Sequence, residues 1–202
     1  MKTKILLVLL VTILIGACAS VPTQYLALQA RTPEGSAVNE RFASQSRWII
    51  VDHVQIPAEI DRLSLTQETA RGLQIAPHAR WLAPLGGMMQ RVLAADLQRS
   101  LPHTPVVLAG APLPAAVQPI RVRVQVSQFL PLANGKVILE ADYFLLDGKG
   151  QTLCAARFRQ WEKGGQSPQT EALGMSHAVA ALAEAIGQEI TALHRAPAPK
   201  GC

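Results

Sequence analysis

The strongest constraint on the fold is a stretch in which apolar and polar residues alternate strictly. The apolar positions are Ile120, Val122, Val124 and Val126, and the polar ones between them are Arg121, Arg123, Gln125 and Ser127. Such alternation indicates a β-strand with one face in a core and the other in solvent. Turn-forming sequences follow at Asn134-Gly135 and Asp147-Gly148-Lys149-Gly150. Residues 136–146 and 152–162 are therefore predicted to complete a three-strand antiparallel meander.

Charged residues on the polar side of this meander predict how its strands align. A regular first hairpin places Arg123 opposite Glu140 and Arg121 opposite Asp142, and the second turn places Asp142 opposite Arg157 and Glu140 opposite Arg159. Two Arg–acid–Arg rows would then cross one face of the sheet. Exposed pairs contribute at most about 1 kcal/mol each, so they would set register more than stability. We interpret this as a solvated face; the alternative is a charged groove for a lipid headgroup.

Two segments have the apolar periodicity of amphipathic helices. The first runs to about residue 101 from Pro84, which suits a first helical turn, and its apolar stripe comprises Leu85, Met89, Val92, Leu93 and Leu97. The second runs from residue 167 or 168 to 193, with Val179, Leu182, Ala183, Ile186, Ile190 and Leu193 on one face. Further strands are predicted at 24–29, 47–56 and 106–108, and a hairpin at 63–66 and 72–75. The fold class is therefore α+β: a mostly antiparallel sheet with both helices on one face.

The N-terminus predicts export and lipid attachment. Lys2 and Lys4 precede an apolar run over residues 5–15, which as a helix spans about 16 Å, too short for a membrane span. The run ends in Ile15, Gly16, Ala17 and Cys18, the pattern of a lipobox, in which the Cys18 thiol receives diacylglycerol. The alternative is an ordinary secretory signal with a chance cysteine. We therefore predict a signal peptide over 1–17, a domain over 18–194 and an extended tail over 195–202.

Lipid attachment determines the expected compartment and excludes one class of partner. A diacylglycerol group and a further acyl chain on Cys18 form a durable anchor. Ala19 follows the cysteine, an arrangement that in similar bacterial lipoproteins implies the outer membrane, with the domain facing the periplasm. Because Lys2 and Lys4 would be removed, the formal charge falls from +5 to +3, and aromatic residues are only 4% of the chain. A nucleic-acid partner has little support.

The sequence contains no recognisable catalytic or metal-binding motif. Its histidines, His53, His78, His103, His177 and His194, show no H-E-x-x-H spacing, and no C-x-x-C, P-loop or G-x-S-x-G motif is present. We therefore expect no enzyme, no metal and no cofactor; a tethered hydrolase would require Ser176 or Ser127 beside a histidine. Cys154 is expected to be a buried, unreactive thiol. A disulfide from Cys202 to Cys154 or to a second molecule is the alternative.

Several short motifs, in order along residues 18–194, resemble the ABC-type transport auxiliary lipoproteins of the PqiC type. Besides the lipobox they are Tyr25-x-Leu, Trp48-Ile49-Ile50-Val51, Arg80-Trp81-Leu82-Ala83-Pro84-Leu85 before a helix that ends at Pro102, Val124-x-Val-Ser-Gln-Phe129, Gly135-Lys136-Val137 and Gly148-x-Gly150. The turn at Trp81, Pro84 and Leu85 is a candidate partner surface, with core packing the favoured role for Trp81.

The resemblance implies a non-enzymatic outer-membrane lipoprotein of an MCE-type lipid transport system. Its implied partner is a periplasm-spanning, PqiB-like MCE protein, which it would dock at the outer membrane, with a homo-oligomeric ring of copies as one arrangement. The alternative function is a structural or pilotin-like outer-membrane lipoprotein of another envelope assembly or secretion machine.

Overall fold

The structure, a computed structural model, describes residues 21–31, 47–115 and 117–195. These residues form two sheets and two helices, which confirms the α+β class. The strands are β1 (Gln24–Leu26), β2 (Arg47–Val51), β3 (Ser64–Thr69), β4 (Gly72–Trp81), β5 (Val106–Leu108), β6 (Gln118–Pro131), β7 (Lys136–Leu146) and β8 (Thr152–Lys163). The helices are α1 (Leu85–Ser100) and α2 (Pro168–Arg195). The predicted connection over residues 31–46 lies, beyond Arg31, outside the described residues.

The larger sheet has the strand order β5-β2-β6-β7-β8 and the smaller one the order β1-β4-β3. Strands β6, β7 and β8 pair antiparallel in sequence order, as do β3 and β4. Strand β2 is parallel to both of its neighbours, and β1 is parallel to β4. Half of the strand pairings are therefore parallel, so the prediction of a mostly antiparallel sheet is wrong. Parallel neighbours need long crossover connections, which local turn signals do not reveal.

Strand β2 is the inner strand that its apolar run indicates. Ile49, Ile50 and Val51 are all buried although they alternate between the two faces of the sheet. The regular strand ends at Val51 rather than at residue 56. The chain nevertheless stays on β6, because the Asp52 and Gln55 backbone N–H groups donate to the Val122 and Val124 carbonyls over 2.9 and 3.0 Å.

The hydrophobic core lies between the larger sheet and the two helices, which contact each other. The predicted apolar stripe of α1 is buried, and so is that of α2 apart from Leu193, which is partly buried. Helix α2 packs on β7 and β8, and α1 lies over β2 and β5. The opposite face of β6, β7 and β8 therefore carries the polar residues of the meander. Among the described residues, neither helix combines the length and the hydropathy that a membrane span requires.

Candidate functional site

The polar face of β6, β7 and β8 places most of the predicted charged residues together. Asp142 lies opposite Arg157 and Glu140 opposite Arg159, as predicted. The Arg157 Nε donates to Asp142 Oδ1 over 2.8 Å, and the Arg159 Nη2 donates to Glu140 Oε1 over 2.8 Å. Both pairs have a second, parallel hydrogen bond, so both are bidentate. The hydrogen bond from Arg157 lowers the pKa of the Asp142 carboxyl.

The predicted partners of Arg121 and Arg123 are wrong. Strand β6 aligns Arg121 with Leu146 and Arg123 with Phe144, four positions further along β7 than predicted. Two features cause this difference: the strands continue to Pro131 and Val137, and a bulge between Val126 and Gln128 shifts the register. The shift is an even number of residues, so both arginines stay on the polar face.

A carboxylate outside the meander replaces the predicted partners. Asp52, just after β2, accepts hydrogen bonds from Arg121 Nη2 and, over 3.5 Å, from Arg123 Nη2. No sequence pattern identified Asp52, because its contact with β6 depends on the parallel pairing of β2. Each of the four arginines of this face thus contacts a carboxylate, and this pairing favours the solvated, register-setting face over an anionic headgroup groove.

The turn formed by Trp81, Pro84 and Leu85 joins β4 to α1. Trp81 and Leu85 are buried at 3% and 1% exposure, whereas Pro84 is exposed. Core packing therefore accounts for Trp81. Pro84 is the residue immediately before the helix, and in its first turn the Gly86 N–H donates to Asp61 Oδ1 over 3.0 Å. The carboxylate occupies the position that an anion would take at this helix N-terminus.

Neither serine that a tethered hydrolase would require is hydrogen-bonded to a histidine of the described residues. Ser176 Oγ donates to the Ala172 carbonyl and accepts from the Gln29 N–H, while Ser127 Oγ donates to the Glu140 carbonyl. The five histidines all lie in the described part of the chain, and none makes a side-chain hydrogen bond to a described residue. His194 has a pKa lowered first by burial and then by the Arg47 guanidinium. No set of three or more metal-ligating side chains is found among the residues that the structure describes.

Cys154 differs from the expected thiol. It is buried at 2% exposure, as predicted, but it is disulfide-bonded, so the expectation of a free thiol is wrong. Cys202, the alternative partner that the sequence suggested, lies outside the described residues, as do the lipobox residues Ile15, Gly16, Ala17 and Cys18. Lipid attachment at Cys18 therefore stays a prediction.

Sequence reasoning missed a cluster of charges around one buried carboxylate, Asp96, where α1, α2 and the end of the first described segment meet. Asp96 is fully buried and accepts the Arg31 backbone N–H over 2.9 Å. Arg99 lies 3.8 Å from both Asp96 and Glu184, and the Arg31 side chain bonds Glu184. The signal was present in the sequence, because Asp96 is three residues after Leu93 and four after Val92, on the apolar stripe of α1.

Comparison with known proteins connects this fold to a family. The family model described as "ABC-type transport auxiliary lipoprotein component" matches residues 28–187. The chain belongs to this family. The family is that of a transport auxiliary component, which associates the protein with a transport system and implies a location in the cell envelope. The resemblance drawn from the ordered motifs is thereby confirmed at the level of the family.

Solved structures share the fold. One uncharacterised protein matches with a TM-score of 0.66 at 20% identity, over 84% of this chain and 99% of its own. A Xanthomonas campestris protein of the family DUF330 matches with a TM-score of 0.61 at 16% identity, over 86% of this chain and 98% of its own. At these identities the likeness supports the fold alone. The comparison with curated proteins gives no significant match.

Proposed function

We propose that this chain is a non-enzymatic lipoprotein that docks a periplasm-spanning MCE protein at the outer membrane, as part of an intermembrane lipid transport system. The observation that carries the proposal is the match to the transport auxiliary family over residues 28–187. The lipobox supports the anchored form, with diacylglycerol and an acyl chain on Cys18 and no other cofactor.

The geometry of the described residues supports a docking role rather than catalysis. The serine hydroxyls that a hydrolase would need are bound to backbone groups, and the arginines of the polar face are paired with carboxylates. That face lies opposite the helices and has a half-exposed aromatic ring, Trp161, with the Arg159 guanidinium 5.8 Å from its centre. Exposed Trp and Arg residues are common anchors of protein interfaces.

The test is recovery of the partner from membranes. We would express the full chain with a photo-crosslinking residue in place of Trp161 and, as a matched control, in place of Leu73, an exposed residue on the β3–β4 hairpin. The expected result is a crosslink to an MCE protein from the Trp161 position. Native mass spectrometry of the crosslinked material also counts copies, which tests the proposed homo-oligomeric ring.

Two results would contradict the proposal. If neither position recovers an MCE protein under saturating crosslinking, or if the recovered protein belongs to another envelope machine, the structural or pilotin-like function takes its place. The membrane-anchored form is checked separately with Cys18→Ser, which we expect to lose both its partition with membranes and the mass of the processed, lipidated protein.

A further inference from the structure

Among the residues that the structure describes, most of the large exposed apolar side chains lie at one end of the smaller sheet. Within the described ranges, nine large hydrophobic residues are exposed, and five of them lie on or beside β1 and the adjoining ends of β3, β4 and α2. These five, with Arg80, are called the β1 surface: Val21, Tyr25, Leu63, Leu82 and Leu173 are 61%, 67%, 51%, 66% and 49% exposed. Isolated exposed apolar residues need no explanation, but a cluster marks an interaction surface.

Backbone pairing brings these residues together. Tyr25 lies opposite Arg80 in the parallel pairing of β1 with β4, and both are exposed while the next pair, Leu26 and Trp81, is buried. The Leu82 N–H donates to the Leu26 carbonyl over 2.9 Å.

The neighbouring elements complete the surface. The Leu63 carbonyl accepts the Trp81 N–H over 2.6 Å, which places Leu63 beside the end of β4. Tyr25 and Leu173 line one open cleft of about 270 Å³ between β1 and α2. The β1 surface is therefore formed by four elements, β1, β3, β4 and α2, and is held by the fold.

The short segment between Cys18 and β1 indicates what this surface contacts. Only five residues separate Cys18 from Gln24, the first residue of β1. Six extended peptide steps reach about 20 Å at most. We propose that the β1 surface lies on the phospholipid bilayer that holds the acyl chains of Cys18; this rests on the lipid anchoring in the proposed function.

The chemistry of the β1 surface fits a bilayer interface. Tyrosine is enriched at the headgroup level of membranes, leucine side chains partition into the acyl boundary, and arginine pairs with phosphate. Arg80 forms no ion pair with any carboxylate that the structure describes. Its guanidinium therefore remains available to a lipid phosphate beside the Tyr25 ring.

The test measures contact with lipid in the full-length lipidated protein. We would prepare Leu82→Trp in vesicles of phosphatidylcholine and phosphatidylglycerol, with and without brominated acyl chains, which quench tryptophan fluorescence on contact. The matched control is Leu73→Trp, a residue of similar exposure eight positions before the end of β4, about 26 Å away along the strand. The native tryptophans are present in every sample, so only emission above wild type is compared.

The expected result is that the added emission of Leu82→Trp shifts to shorter wavelength and is lost in brominated vesicles, while that of Leu73→Trp is unchanged. Leu63→Trp is a second reporter if the first variant does not fold. Vesicle flotation separates the two levels of the proposal. If the protein floats but the added tryptophan is not quenched at positions 82 and 63, or is quenched equally at position 73, the β1 surface does not contact the bilayer, although the anchor does. Protein that does not float overturns the anchor and, with it, this inference.

Discussion

At the scale of single residues, the buried carboxylate of Asp96 has an unusual environment. It has no solvent exposure and accepts the Arg31 backbone N–H. Burial raises its pKa, and this effect exceeds the lowering by that hydrogen bond and by the guanidinium groups of Arg99 and Arg31. A raised carboxyl pKa means that the folded state binds the proton more tightly than the unfolded state, so this group makes the protein less stable as pH rises above its unfolded pKa, about 3.9.

We predict that Asp96→Asn reduces the loss of stability between about pH 4 and pH 7, because the amide oxygen still accepts the Arg31 N–H but does not titrate. Urea unfolding at several pH values measures the slope. Asp96→Ala is the contrasting variant; it should lose about 1–3 kcal/mol because the Arg31 N–H is left without an acceptor. An unchanged pH slope in Asp96→Asn would show that Asp96 does not titrate in this range. Burial also raises the pKa of the Glu171 carboxyl, so Glu171 accounts for part of the pH dependence of stability that remains in Asp96→Asn.

The Asp142 carboxyl behaves in the opposite sense. Its pKa is lowered by the hydrogen bond from Arg157, so the stability it contributes is present above the unfolded pKa and is lost as pH falls through the lower folded value. We predict that Arg157→Gln raises the pKa of Asp142 toward its ordinary value. Carboxyl-carbon NMR titration of Asp142 in the wild type and in the variant measures this shift. A pKa of Asp142 that does not move would contradict the bidentate pairing in solution.

At the scale of elements, the packing of α2 on the end of β8 depends on one glycine. A Cβ at Gly174 would lie 2.7 Å from the Lys163 carbonyl oxygen and 2.9 Å from the Gly164 Cα. Both neighbours are backbone atoms, which cannot rotate away, so a methyl group there forces the helix from the sheet.

We predict that Gly174→Ala destabilises the protein by about 1–3 kcal/mol, the usual cost of overpacking. The matched control is Gly87→Ala in the first turn of α1, where the nearest atom is the mobile Arg91 Nη1 at 3.7 Å. That variant should gain up to about 1 kcal/mol from helix propensity. Thermal or urea unfolding of both proteins measures the difference. Equal effects of the two substitutions would mean that α2 does not approach β8 this closely.

At the scale of the whole molecule, lipid attachment limits which disulfide can form. The chain has three cysteines, Cys18, Cys154 and Cys202. Cys154 is disulfide-bonded, and a Cys18 sulfur joined to diacylglycerol cannot form a disulfide. We therefore predict that non-reducing peptide mapping of the lipidated protein links Cys154 to Cys202. Cys202→Ser should leave one free thiol that reacts only after unfolding, because Cys154 is 2% exposed. A peptide that links Cys154 to Cys18 would contradict lipid attachment.

Much of the fold was predictable from local pattern. The alternation at 120–127, the glycine turns, and the apolar stripes at three- and four-residue spacing each depend on neighbouring residues. Strands β5 and β7 lie where they were predicted, and the β3–β4 hairpin has its predicted turn, but β4 continues to Trp81 instead of ending at residue 75. Glu140 with Arg159 and Asp142 with Arg157 were predictable because a short turn fixes the register of the hairpin. Arg121 and Arg123 were not, because β6 and β7 continue to Pro131 and Val137 before the chain turns, which moves the pairing five positions from the predicted one, and the bulge in β6 then moves it back by one.

The sequence by itself determined the α+β class, the two apolar helix faces and the family, because these follow from residue periodicity and from ordered motifs. Only the tertiary structure decided the parallel placement of β2, the pairing of Asp52 with Arg121 and Arg123, and the burial of Asp96 between the helices. The physical reason is sequence separation. These contacts join residues that are 57 to 71 positions apart in the chain, and chain closure over such lengths is selected by the packing of the complete core rather than by any local preference.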